Sequence, residues 1–181
     1  MGADLNELNT LIDSLQLGKL FLIAGRPAMG KSAAVLSIAS LMSNNGPVCV
    51  FSSEMLKDQV INRLKKTESP LDQIHISDKA DFTIADIKNF VSTIGKVEAV
   101  VIDNVDMMNE DLMALKELNT PIIATYPLPK PLTMPFNAGT LAEIPGDLAT
   151  AADAIFTIYR PEYYTRNESD RDKVEISMIK A

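Results

Sequence analysis

Residues 25–32 read GRPAMGKS and stand between a short apolar run, 19–24 (KLFLIA), and a stretch with helical spacing of apolar residues, 31–43. Gly25, Gly30, Lys31 and Ser32 satisfy G-x-x-x-x-G-K-[ST], in the strand–loop–helix context that gives the pattern its meaning. The residue types follow from the chemistry. Two glycines let the backbone aim several N–H groups at one phosphate. The helix that starts near Lys31 points its positive end at the same anion. Lys31 adds a full charge for the β- and γ-phosphates, and Ser32 offers a hydroxyl to Mg²⁺. The whole loop is the expected nucleotide contact: Gly25, Arg26, Pro27, Ala28, Met29, Gly30, Lys31, Ser32 and Ala33. ATP and Mg²⁺ are the expected ligands.

The remainder of the chain alternates in the same way. Apolar runs at 48–52, 74–76, 99–102, 121–125, 154–159 and 174–179 read as strands. The stretches 57–66, 83–94 and 110–117 read as helices, with Asp81 or Thr83 as the cap of the second. Alternating strands and helices predict an α/β domain: a mainly parallel central sheet flanked by helices. Residues 127–135 hold four prolines and read as loop. Residues 164–173 are strongly charged and read as a turn or mobile loop. The chain divides into a helical lead-in, 1–18, with Leu5, Leu8, Leu11 and Ile12 on one face, and a single domain, 19–181.

Composition narrows the partners. The 181 residues hold 17 basic and 24 acidic side chains, a net charge of −7. A protein that grips nucleic acid by itself usually presents a basic face, and the basic cluster here is confined to 63–66. No apolar run approaches the roughly 20 residues of a membrane-spanning helix. The polar, acidic start is no secretory signal, and the single cysteine, Cys49, has no partner for an internal disulfide. A cytoplasmic location is expected, without a membrane partner.

Hydrolysis needs two more groups: an acid for Mg²⁺ and a group that orients water. Asp103 ends the run VEAVVID, at the strand tip where open α/β sheets bind ligands. It is the expected magnesium carboxylate. Glu54 follows the strand 48–52 on the same sheet edge. Pattern alone leaves it open between general base and solvated helix-starting residue. Asp106 reads as a loop residue.

Taken in order, GRPAMGKS, FSSEM (51–55), VVID (100–103) and AADAIFTIYRPEYY (151–164) resemble the C-terminal motor domain of DnaB-type replicative helicases, over nearly the whole chain. LQLGKLFLIAGRP and FTIADI (82–87) resemble the same family. The resemblance implies a RecA-like P-loop NTPase fold. It implies ATP hydrolysis coupled to translocation on single-stranded DNA, in a homo-oligomeric ring, a hexamer. It assigns Glu54 as the catalytic glutamate, beside Lys31, and Asp103, with Ser32, to magnesium.

The sequence also departs from that family. Nothing in it matches the family's N-terminal helical domain. Only seventeen residues, 104–120, separate Asp103 from Pro121, where the family has a longer stretch with a DNA-facing loop. Pro127 stands where the family carries a γ-phosphate-sensing Gln, and proline offers no donor. Residues 132–148 contain no Lys or Arg, whereas the family's loop there contacts DNA phosphates. Lys180 matches the Lys of a Lys-x-Arg finger that reaches the neighbouring subunit, but the sequence ends at Ala181, before the Arg. Losing such a finger costs about three to five orders of magnitude in turnover in other NTPases. The alternative expectation is therefore a degenerate relative that binds ATP as an interaction module without helicase activity.

The remaining candidates have plainer readings. His75 has no neighbour at metal-ligand spacing and reads as structural. Cys49 reads as inert core. Arg160, Glu162, Tyr163 and Tyr164 stay open between adenine stacking, a subunit interface and plain cover of the sheet edge.

Overall fold

In the computed structural model the described residues are 11, 12, 14–67, 69–108, 110–129, 138–165 and 167–181. Seven strands form one sheet: β1 (Leu20–Gly25), β2 (Val48–Ser52), β3 (Ile74–Ser77), β4 (Ala99–Asp103), β5 (Ile122–Pro127), β6 (Ala154–Tyr159) and β7 (Glu175–Lys180). Their order is β3-β2-β4-β5-β1-β6-β7. All pairings are parallel except β6 with β7, which is antiparallel and forms an edge. The helices are α1 (Lys31–Met42), α2 (Lys57–Leu64), α3 (Ile84–Ile94), α4 (Gly146–Ala151) and the single turn α5 (Glu162–Thr165).

Strand β1 shows why the sheet lies in the middle. All six of its residues are buried. Successive side chains of a strand point to opposite faces, and both faces are covered. Phe21 and Ile23 join Val35, Ile38, Val60 and Leu64 of α1 and α2 in one apolar cluster. Leu20 and Leu22 join Ile87, Val91, Leu115 and Leu148 on the other face. A strand buried on both sides must be apolar throughout, as LFLIAG is. Cys49 lies in the second cluster, and burial pushes its thiol up to about 12, so it stays a protonated core group.

The ends of the elements carry local signals. Thr83 caps α3: its Oγ1 accepts from Asp86 N–H at 3.1 Å, while Asp86 Oδ2 accepts from Thr83 N–H at 2.9 Å. This reciprocal pair satisfies two of the donors that a helix start leaves free.

Two readings need correction. The stretch expected as an α-helix at 110–117 is a 3-10 helix, Leu112–Leu118. Asp111 caps it, and Asn119 ends it with a positive φ of 50°. Strand β5 does not stop at Thr125 but continues through Tyr126 to Pro127, which pairs with Gly25. Proline suits that last position because the next ladder bond comes from Leu128 N–H to Gly25 O, at 3.0 Å. The charged segment after Tyr164, read as a turn or loop, holds a 3-10 turn, Glu168–Asp170.

Of the lead-in, residues 1–10 and 13 lie outside the described residues. So do 130–137, most of the proline-rich stretch and part of the loop free of Lys and Arg. Leu11 is fully buried in the first cluster and Ile12 packs against it. No described helix is long and apolar enough to cross a membrane.

Candidate nucleotide site

The parallel strands end together on one edge of the sheet, and a cavity of about 390 Å³ opens there. Pro27, Ala28, Gly30, Lys31, Ser32 and Ala33 form one wall. Glu54, Arg63, Asp103, Asn104, Thr125 and Pro127 form the other. The loop takes its shape from two unusual backbone positions. Gly30 has φ 97° and ends directly in α1, and Ala28 has φ 65°. A positive φ is uncommon outside glycine. It turns the chain so that the start of α1 faces the cavity.

The side chains of Arg26 and Met29 do not line the cavity. Arg26 is 2% exposed and turns away from the cavity. Its guanidinium donates to Pro129 O and to Glu143 Oε1, the latter at 3.0 Å. Burial alone would raise the Glu143 carboxyl, but the Thr140 N–H and Arg26 hold it below its usual value. Met29 is 1% exposed, and its Sδ accepts from Arg160 N–H at 3.4 Å. Neither side chain lines the cavity, so the loop could offer a ligand only backbone at these two positions. Arg26 instead straps the phosphate loop to the segment that follows β5.

The charged centre is compact. Asp103, buried at the tip of β4, accepts from Ser32 Oγ at 3.1 Å and from Thr125 Oγ1 at 2.9 Å, both at Oδ1. Its other oxygen, Oδ2, is buried with no partner. Burial pushes the Asp103 carboxyl above its usual value, the Ser32 and Thr125 hydroxyls oppose this, Glu54 adds to it and Lys31 opposes it. Lys31 Nζ donates to Arg26 O at 3.2 Å. Burial pulls its pKa down, while Glu54 and Asp103 pull it up.

An unsatisfied buried carboxylate oxygen beside a hydroxyl is a costly arrangement that a hard cation would relieve. Among the described residues no three His, Cys, Asp or Glu converge on a metal position. The donors present therefore fit an ion that takes much of its coordination from phosphate and water, as Mg²⁺ does.

These shifts carry a prediction. The folded-state pKa of Asp103 is raised, so its charged form costs stability at neutral pH. That cost shrinks as pH falls through the raised value and is gone below 3.8, the ordinary value of the group. Asp103→Asn should raise the melting temperature of nucleotide-free protein in EDTA at pH 7, and the gain should shrink toward pH 4. A melting temperature lowered at pH 7 would contradict this reading of the site.

Sequence reasoning missed Asn104, Thr125 and Arg63. Thr125 had a signal, a lone hydroxyl at the end of the apolar run IIAT. Asn104 and Arg63 had none, because their place depends on which elements lie side by side. Glu54 is exposed and accepts from Asn104 Nδ2 at 2.6 Å. Pro127 does stand in the cavity wall.

Other candidates lie elsewhere. Tyr159 and Tyr164 stack on each other at 5.9 Å, away from the cavity. His75 is half-buried on the edge strand β3, opposite Cys49. Lys180 Nζ donates to Ala149 O, at 2.8 Å, and to Ala152 O, at the C-terminal end of this chain's own α4. That is a favourable place for a cation, and it differs from the outward-reaching role that the resemblance implies. A second cavity, about 560 Å³, opens on the same sheet edge. Thr125 and Tyr126 are successive in β5 and so face opposite sides of the sheet, which separates the two cavities. Asp106, Glu110, Asp111 and Asp147 line the second one, and no basic residue joins them among the described residues.

A family-level sequence model described as the DnaB-like helicase C terminal domain matches residues 1–117. The chain belongs to this family. The probable replicative DNA helicase of Trieres chinensis is 24% identical over 227 residues, covering 96% of this chain and 50% of the relative. The Haemophilus influenzae replicative DNA helicase DnaB is 24% identical over 227 residues, covering 94% and 48%. Those alignments are longer than this 181-residue chain, so the relatives carry extra residues between shared elements. The chain spans about half the length of these curated relatives.

The fold agrees. A structure described as a DnaB-like replicative helicase and its interactions with primase superposes with TM-score 0.77 at 23% identity, over 94% of this chain and 55% of the other. A second solved structure, described as an ATPase domain, gives 0.76 at 22%, over 94% and 81%. This DnaB-like chain therefore has the RecA-like α/β fold that its motifs announced.

Proposed function

We propose that this DnaB-like domain binds ATP with Mg²⁺ at residues 25–33 and hydrolyses it, as the motor domain of a replicative DNA helicase. One observation carries the reading. Lys31, Ser32, Glu54 and Asp103 come from three separate stretches of sequence, yet they border a single cavity at a helix start. The role of each follows from its chemistry. Loop amides and the Lys31 ammonium hold phosphate oxygens and would offset charge that builds on them in the transition state. Ser32 Oγ and Asp103 would hold the ion. Held there, Mg²⁺ would supply positive charge that offsets part of the charge on the phosphates. Glu54 is exposed at the cavity rim, where its carboxylate can accept a proton from water and orient it.

By family, the domain would work as a homo-oligomeric ring, a hexamer, translocating on single-stranded DNA in the cytoplasm. A second reading, an ATP-binding interaction module without helicase activity, is favoured by particular residues. Pro127 brings no donor to the cavity wall. Lys180 is engaged within its own chain. The four acids of the second cavity would repel DNA phosphates on this sheet edge.

Steady-state ATP hydrolysis with and without single-stranded DNA separates the two. The motor reading expects Mg²⁺-dependent turnover, raised by single-stranded DNA and lost in Lys31→Ala. That substitution removes a charge-assisted contact worth about 1.5–3 kcal/mol, or roughly 10- to 150-fold in nucleotide affinity. Tight binding without turnover in a DNA-saturated, oligomeric sample would select the module.

A further inference from the structure

Asn104 follows Asp103 in the chain, yet its side chain serves Glu54, fifty residues away. Its backbone is left-handed, with φ 76° and ψ 88°, a conformation that Asn tolerates better than most residues. Two contacts fix it there. Its N–H donates to Thr125 Oγ1 at 2.7 Å, and that hydroxyl donates in turn to Asp103 Oδ1 at 2.9 Å. Its side-chain oxygen accepts from Asp106 N–H at 3.1 Å. A carboxamide with its oxygen so engaged must present its NH₂ the other way. That NH₂ donates to Glu54 Oε1 at 2.6 Å.

Asn104 is the one hydrogen-bond donor to Glu54 among the described residues. The other charged groups bordering the cavity are Lys31, Arg63 and Asp103. None of these makes a hydrogen bond to Glu54 that would set its rotamer. Glu54 stands on the turn after β2, where an exposed carboxylate would otherwise sample several orientations.

We infer that Asn104 is a positioning residue for Glu54. Resting on the ATPase reading above, it links the strand tip that carries Asp103 to the group that orients water. The linkage runs Asp103–Thr125–Asn104–Glu54 through three hydrogen bonds. Because Asp106 N–H sets the carboxamide, the hold depends on the turn 104–107 that leads away from β4. A shift of that turn would release Glu54 while the phosphate loop stays in place. Misplacing a catalytic group by about 1 Å can cost on the order of a hundredfold in rate.

The test uses Asn104→Gly and Asn104→Asp. Glycine keeps the left-handed backbone at no steric cost, so the carboxamide alone is removed. Aspartate keeps the acceptor for Asp106 N–H but sets a like charge against Glu54. Both should keep ATP affinity within about twofold and lower kcat by about tenfold to a hundredfold, Asp the more. A role confined to stability would lower the melting temperature and leave kcat per folded molecule unchanged. Wild-type kcat in Asn104→Gly overturns the inference.

A second readout needs no turnover. In protein with ¹⁵N-labelled asparagine, the Asn104 side-chain amide protons should move upfield in Glu54→Ala as the bond to the carboxylate is lost. If wild type shows no ATPase activity, the ATPase reading fails, and this signal still decides whether Asn104 holds Glu54. An unmoved Asn104 signal overturns the hold.

Discussion

Glu54→Gln should lower ATP turnover by about two to four orders of magnitude, the usual contribution of a general base, and leave nucleotide affinity almost unchanged. The two side chains have nearly the same shape. A Gln carbonyl can still accept from Asn104 Nδ2, now 2.6 Å from Glu54 Oε1, so the local geometry survives. What disappears is basicity. Lys31, Ser32 and the loop amides, which would bind the phosphates, are untouched. Equal loss in kcat and in kcat/KM is the expected signature of an interaction made only in the transition state. Removing the Glu54 charge also removes one influence that raises the Asp103 carboxyl and one that raises Lys31. Both changes make the site slightly more negative and so work against the loss of the Glu54 charge itself, and binding should move little. The measurement is single-turnover hydrolysis beside equilibrium binding of a fluorescent ATP analogue. A Gln variant that still turns over at near the wild-type rate would remove Glu54 from the mechanism and return it to the solvated-surface reading.

Much of this site was legible in the linear sequence, for a physical reason. Lys31 and Ser32 are neighbours on one helix start, and Asp103 closes an apolar run. Position on an element therefore determines where they go. The sheet core was legible for a similar reason: strands buried on both faces must be continuous apolar runs, as in 20–24 and 99–102. Arg26 and Met29 show the limit of the motif. Their place in the loop suggested ligand contact, but side-chain direction depends on local backbone angles, and both point into the protein. Residues 112–118 form a 3-10 helix although their apolar spacing also suits an α-helix, so spacing alone did not settle the hydrogen-bond pattern. Asn104 and Thr125 act across strands β4 and β5. Their meeting is fixed by strand order and register, which no local pattern encodes.

Gly25→Ala should be severe although Gly25 has no unusual φ. The constraint is space. A Cβ placed there would stand 2.7 Å from Ile158 Cγ2, 3.0 Å from Ile158 O and 3.3 Å from Lys31 Cγ. The methyl of Ile158 can rotate aside, but the carbonyl cannot. It belongs to β6, which is held by β1 on one side and β7 on the other. Relief must come from Gly25 itself moving out, at the point where β1 becomes the phosphate loop. Overpacking of this kind costs about 1–3 kcal/mol, or roughly 2–12 °C in melting temperature for a chain of this size. The functional loss should be the larger part. Gly25 O accepts from Leu128 N–H at 3.0 Å, and Arg26 O accepts from Lys31 Nζ at 3.2 Å, so displacement of this residue carries both the β5 end and the Lys31 ammonium with it. Nucleotide affinity should fall at least as far as in Lys31→Ala. Thermal denaturation with and without Mg·ATP reads both effects. A Gly25→Ala protein that melts at the wild-type temperature and gains the wild-type stabilisation from Mg·ATP would show that β1 and β6 are not packed this closely. The cradle drawn from that packing would then be wrong.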